Sequence, residues 1–290
     1  MENLLLNAIV RFAETSDSVT ALILIGSRAR IAMKADAYSD IDLVLVVKDA
    51  QPFLSGDEWL KAIAPYHISF TEPTLEGQAE RRVLFAGAQD VDFVIVNESA
   101  AEKTLDSGIA ADIFARGARM LVNKQNLSLP PSPPEARPAF AAAGEAEFVN
   151  LVQDFWFHAI WTAKKLLRGE IWTAKNCADA YMKRKLLWMI EQHAHAARHT
   201  DRDTWYAGRF IERWADADVL EYLRTTYAHF DLPDIARALQ ETMELFRRLA
   251  KETAEALGYA YPADADAYAA DWVRKKLAPP LPESLRKGTV

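Results

Sequence analysis

Hydrophobic residues fall in two patterns along the chain. Up to residue 127 they form short runs rich in β-branched and aromatic side chains, at 19–25, 41–47, 66–70, 82–85 and 91–96, alternating with helical segments. Gly87-Ala88-Gln89 reads as a hairpin turn between the last two runs. Beyond residue 144 the apolar positions recur at helix spacing. Phe148, Leu151, Val152, Phe155 and Ala159 share one face of a helix expected over 145–168, with Gly169 as its stop. A second long helix is expected over 175–198. A third, over 231–257, has Asp231 near its start, Pro233 in its first turn and Gly258 just past its end. Between the two regions, Ser128 to Pro138 contains five prolines, whose fixed φ and missing amide hydrogens exclude regular helix. The segment reads as a linker or as an extended strap on one domain.

The pattern predicts an α/β (α+β) domain with a small mixed sheet at 1–127, a proline-rich linker at 128–144, a helical domain at 145–276 and a tail at 277–290. A cleft between the two domains is the expected ligand site. Glu2 and Arg11 flank a short apolar stretch that fits an amphipathic helix better than a signal peptide, and no segment approaches the ~20 apolar residues of a membrane span. The single cysteine, Cys177, permits no internal disulfide and reads as a buried thiol of a cytoplasmic protein.

Charge changes the picture of what the chain binds. Asp and Glu outnumber Lys and Arg by 41 to 34, a net charge of -7, so nucleic acid is not an expected partner and cations are. His195 and His199 lie four apart, as two zinc ligands on one helix would, but no glutamate follows His195 in the metalloprotease pattern. With His193, they read as positive groups near a helix C-terminus.

The chemistry is concentrated between Leu22 and Val47, LILIGSRARIAMKADAYSDIDLVLVV. An apolar strand ends at Gly26-Ser27, Arg28 follows, and twelve residues separate Ser27 from Asp40. Strand alternation points Asp40 and Asp42 to the same face, with Ile41 and Leu43 on the other. Two carboxylates so placed at the start of a buried strand repel each other unless cations intervene, and hard oxygen ligands of this kind favour magnesium completed by phosphate oxygens and water. Gly26 lets the backbone approach a ligand, amide hydrogens of the following turn can bind phosphate, and Ser27 adds a hydroxyl. Arg28 pairs with a triphosphate or with a nearby acid such as Asp36. Phosphoryl transfer on two metals calls for a third carboxylate, and Asp92 interrupts the apolar run Val91 to Val96. Asp90 points to the same face but sits at the strand's edge.

These segments resemble a known family. The G-S-x(12)-D-I-D pattern is similar to that of the polymerase-β-like nucleotidyltransferases, and GSRAR followed by YSDIDLVLVV resembles the aminoglycoside 6-adenylyltransferases, also called streptomycin adenylyltransferases. The likeness continues through RVLFAGAQDVDFVIV, FWFHAIWTAKKLLRGE, AKNCADAYMKRKLLWMIE, YAGRFIERWAD and LFRRLAKETAEALGYAYP, and so covers the chain from about Ala21 to Pro262. It departs at Ile31, where relatives carry glycine. The resemblance implies transfer of AMP from ATP to a hydroxyl of an aminoglycoside, O6 of streptomycin, with release of pyrophosphate. By it, Asp40, Asp42 and Asp92 hold two magnesium ions, Asp92 being ligand, general base or both. Gly26, Ser27 and Arg28 hold the β- and γ-phosphates, and Lys175 meets the triphosphate, with Lys164 and Lys185 as alternatives. Another small molecule or a protein side chain as acceptor, and a non-catalytic nucleotide-binding module, are the competing readings.

A doubly guanidinylated drug calls for acids and aromatic faces. Asp154, Glu170, Asp179 and Glu212 are candidate acids. Trp156, Trp161, Trp172, Trp188, Trp205, Trp214 and Trp272 supply rings in or near the helical half, where helical spacing favours core over cage.

Overall fold

The computed structural model describes residues 4–30, 35–74, 77–106, 108–129, 140, 142–196, 202–204 and 207–278. Ile31, most of the proline-rich segment, most of the expected tail, His199 and Trp205 lie outside the described residues. The chain divides into two compact units, Met1–Ala139 and Phe140–Val290.

The first unit is built on a mixed six-stranded sheet. Helix α1 (Leu4–Thr15) leads into β1 (Val19–Ile25), a 3₁₀ turn at Gly26–Arg28 and β2 (Ile41–Val47). Short helices α2 (Gln51–Ser55) and α3 (Glu58–Ile63) precede the meander β3 (Tyr66–Pro73), β4 (Ala79–Phe85) and β5 (Gln89–Asn97). Helices α4 (Ala101–Leu105) and α5 (Gly108–Ala115) lead to β6 (Arg119–Asn123). The strand order is β3-β4-β5-β2-β1-β6, with β2 and β5 parallel and the other pairs antiparallel.

Residues on alternate sides of β1 and β2 are apolar because both faces of the sheet centre are covered. Leu22, Leu24, Leu43 and Leu45 pack with Leu5 and Ile9 of α1 and with Phe53 and Trp59. Ile23, Ile25, Val44 and Val46 pack with Ala101, Leu105 and Phe114. Strands β3 to β5 run longer than the apolar runs suggest, because polar residues at their ends still complete the ladder. The sixth strand was not among those expected: Arg119–Asn123 is an edge strand whose apolar run, Met120-Leu121-Val122, is three residues long, with only Val122 buried.

The second unit is helical. Its long elements are α6 (Glu145–Leu167), α8 (Met182–Ala196) and α11 (Leu232–Leu257), with α7 (Ile171–Asn176), α9 (Ile211–Trp214), α10 (Ala217–Thr225) and α12 (Ala263–Lys276) around them. Phe155 of α6 stacks on Phe246 of α11 with ring centroids 3.6 Å apart, and Trp156 meets Phe246 edge-on. Asp231 caps α11 by accepting from the Asp234 amide, and Gly258 ends it in the left-handed region at φ 69°. The expected second helix is instead two helices joined by a π-turn, Cys177–Tyr181. No described helix is long and apolar enough to cross a membrane.

Lys183 is buried two residues beyond the π-turn, where Nζ donates to Ala178 O and Thr242 Oγ1 and lies 5.0 Å from the Tyr227 ring centroid. Burial pulls its ammonium down to about 8, against a smaller opposing pull from Asp179. The unfolded chain keeps the ordinary lysine value, so between about pH 8 and 10.5 it binds more protons than the folded chain, and stability rises with pH across that window. Lys183→Met removes this term. Urea titrations at pH 7 and pH 10 are expected to show the variant more stable at pH 7 and the difference shrinking at pH 10.

Candidate functional site

The DxD strand delivers what its alternation implies. Asp40, Asp42 and Asp92 each offer a carboxylate oxygen, and these three oxygens lie within 4.8 Å of one another. Among the described residues no other group of three or more histidine, cysteine or acidic side chains could hold a metal ion. Asp42 and Asp92 face each other in register on the parallel strands β2 and β5, and Asp92 is only 6% exposed. Oxygen-only donors carrying three negative charges match a hard divalent cation such as magnesium.

Beside the acids, β1 ends in the 3₁₀ turn. Gly26 has φ +67°, and a Cβ there would stand 1.7 Å from Asp42 Oδ2, so only glycine lets the turn close on the carboxylate. Ser27 is buried, and its Oγ has no hydrogen-bond partner among the described residues. A buried hydroxyl is costly without a partner, and a phosphate oxygen at the turn would supply one. Gly117, just before β6, plays a similar part: a Cβ there would come within 2.9 Å of Ala29 O, so a glycine also lets the chain approach the far end of the turn.

Arg28 bonds to backbone carbonyls and not to Asp36. Its Nε donates to Asp40 O at 2.8 Å and its Nη2 to Ser39 O at 2.6 Å. Asp36 instead binds the Ser39 hydroxyl and the Tyr38 amide, and these bonds hold its carboxyl below the usual range. The pairing of Arg28 with Asp36 is therefore corrected: the guanidinium ties the turn after β1 to the backbone entering β2.

The sheet face around Asp92 holds residues that the sequence did not single out. Arg82 stands opposite Asp92 on β4 and grips it at both oxygens, Nε to Oδ1 at 2.9 Å and Nη2 to Oδ2 at 2.5 Å. The third nitrogen, Nη1, donates to Glu72 Oε1 at 3.0 Å. Hydrogen bonding to Asp92 raises the Arg82 guanidinium above its ordinary value. Glu80, half-buried on the same face, has its carboxyl raised by burial and then by the nearby charge of Asp92.

Lys175 lies in the helical unit, where Nζ makes an ion pair with Asp179 and donates to Ala228 O at 2.6 Å. The alternatives are also placed there. Lys185 pairs with Asp154 at 2.7 Å, and Lys164 lies 5.8 Å from the Trp272 ring centroid. Of the candidate acids, Asp154 also accepts from Tyr181, and Glu170 pairs with Lys165 and Arg168. Trp156 and Trp214 are core, Trp161, Trp188 and Trp272 pack partly buried against it, and Trp172 is 76% exposed. His193 pairs with Glu252, and His195 stacks on Phe140.

Comparison with known proteins places this site in context. The family model described as streptomycin adenylyltransferase matches residues 1–276. The chain is 23% identical to an aminoglycoside 6-adenylyltransferase of Bacillus subtilis over 272 residues, covering 90% of this chain and 93% of the relative. It is also 23% identical to one from Campylobacter jejuni, covering 88% of each chain. A crystal structure of an aminoglycoside 6-adenyltransferase from Bacillus subtilis aligns with a TM-score of 0.44 at 18% identity, over 95% of this chain and 98% of that one.

Gly26→Ala tests the closeness of the turn to Asp42. The added methyl cannot coexist with the carboxylate in its present place, and the left-handed backbone adds about 1 kcal/mol of strain. Binding of Mn2+, followed by the loss of its free electron-spin signal, is expected to weaken at least tenfold while the circular dichroism spectrum is retained.

Proposed function

Because this chain belongs to the streptomycin adenylyltransferase family, and so to the ATP-dependent nucleotidyltransferases, we propose that it transfers AMP from ATP to a hydroxyl of an aminoglycoside, with O6 of streptomycin as the acceptor and pyrophosphate as the leaving group. The observation that carries the reading is the convergence of Asp40, Asp42 and Asp92 beside a glycine turn with an unsatisfied serine hydroxyl.

In this reading Asp40, Asp42 and Asp92 hold the cations that accompany ATP. Two magnesium ions bound there supply charge neutralisation at the attacking and leaving oxygens. The Gly26–Arg28 turn receives the β- and γ-phosphates: Gly26 keeps the backbone close, and Ser27 Oγ donates into the phosphate. Arg28 contributes first by fixing the Asp40 backbone, through bonds that order the loop entering β2. Lys175, which pairs with Asp179, is the lysine this reading assigns to the triphosphate by family resemblance. The net charge of -7 suits a cationic acceptor and disfavours a nucleic acid, and the use of ATP fits a cytoplasmic reaction.

The test is mass spectrometry of streptomycin after incubation with the protein, ATP and Mg2+, alongside other aminoglycosides and a pyrophosphate-release assay. Adenylylated streptomycin is expected. ATP binding without transfer to any acceptor would return the chain to a nucleotide-binding module.

Two substitutions follow from the assignment. Asp42→Asn removes a ligand charge from the centre of the site, and turnover is expected to fall by roughly a thousandfold with the thermal midpoint held or raised, since a repulsion is also removed. Asp92→Asn is expected to lower kcat much more than it raises the Kd for ATP, as separate kinetic and equilibrium measurements would show.

A further inference from the structure

Arg82 opens the segment RVLFAGAQDVDFVIV, where the resemblance gives it no role, yet it touches the acid deepest in the site. Its position follows from the β4–β5 hairpin: Arg82 and Asp92 are directly paired residues with side chains on one face. Both oxygens of Asp92 receive a guanidinium N–H, and the guanidinium is held from behind by Glu72 on β3. A planar fork bonded to both oxygens fixes the carboxylate's plane, which a point charge does not do. Each carboxylate oxygen retains a second lone pair after accepting one hydrogen bond. The carboxylate is thereby held still while keeping donor capacity toward Asp40 and Asp42, whose oxygens lie within 4.8 Å.

We propose that Arg82 is a positioning residue of the divalent-cation site, orienting Asp92 as a ligand through its bidentate fork, with Glu72 holding Arg82 in turn. The proposal rests on the reading of Asp40, Asp42 and Asp92 as the cation site. It gives a physical reason for an arginine so close to a site meant for cations. Charge balance alone would be met by any cation near Glu72, Glu80 and Asp92, whereas orientation requires the fork.

Lysine and methionine at position 82 separate these roles. Mn2+ binding to the full chain, with a non-hydrolysable ATP analogue and no acceptor, is measured for wild type, Arg82→Lys, Arg82→Met and Glu72→Gln. Arg82→Lys and Arg82→Met are both expected to weaken Mn2+ about ten- to a hundredfold, the range for partners that orient metal ligands, and Glu72→Gln by a smaller factor in the same direction. In the transfer assay, excess Mg2+ is expected to restore the rate of both Arg82 variants and not that of Asp42→Asn. Thermal unfolding of each variant checks the fold, and Glu72→Gln, which alters only a half-exposed carboxylate, keeps the test available if Arg82→Met does not fold.

Wild-type Mn2+ affinity in Arg82→Met would overturn the proposal. So would full recovery in Arg82→Lys, which would leave charge balance as the whole role. The titration contains no aminoglycoside, so Arg82-dependent Mn2+ binding by a protein that modifies no acceptor would sink the transferase reading and uphold this one.

Discussion

The first unit is organised around a repulsion. Parallel strands β2 and β5 bring Asp42 and Asp92 side by side in register, and Asp40 joins them from the end of the loop. Two like charges about 4 Å apart in a partly buried setting repel by roughly 4 kcal/mol. Apolar packing of the same strands holds the acids there: Leu43 and Phe93, next along the register, are buried on the opposite face, and Ile41 and Val91 are buried beside them. The core thus sustains a local conflict that a cation would relieve. Such placement is expected where a site is built for binding at some cost to stability.

Three devices around the acids keep that conflict from distorting the sheet. Gly26 has no side chain where Asp42 must lie, Arg28 fastens the backbone leading into β2, and Arg82 supplies a cation on the far side of Asp92. Two of the three contacts are set by strand pairing, one through β1–β2 and one through β4–β5. The site's geometry therefore depends on strand register more than on any loop.

Register also explains what could be read from the chain. Alternation within one strand is local, so Asp40 and Asp42 could be placed on one face from their spacing alone, and Asp92 announced itself as a charge inside an apolar run. Arg82 did not, and the reason is one residue of turn. A turn at Gly87-Ala88-Gln89 pairs position 92 with Leu84. The turn at Ala86-Gly87-Ala88, with Gln89 already opposite Phe85, pairs it with Arg82. Edge strand β6 was missed for another reason: its apolar run, Met120-Leu121-Val122, is three residues long, too short to show a period of its own. In the helical unit, the ends of α11 were legible because Asp231 and Gly258 act locally, whereas the π-turn at Cys177–Tyr181 interrupts a pattern that propensity alone reads as continuous.

Three of the acids considered for a cationic acceptor are already paired, two of them with an i,i+4 neighbour, Asp154 with His158 and Asp179 with Lys175. Asp154 is engaged by Lys185, His158 and Tyr181, Glu170 by Lys165 and Arg168, and Asp179 by Lys175. A guanidinium arriving at any of these exchanges one cation for another, so its gain is the difference between two ion pairs and not the worth of one. The released lysine or arginine must then find water or an anion.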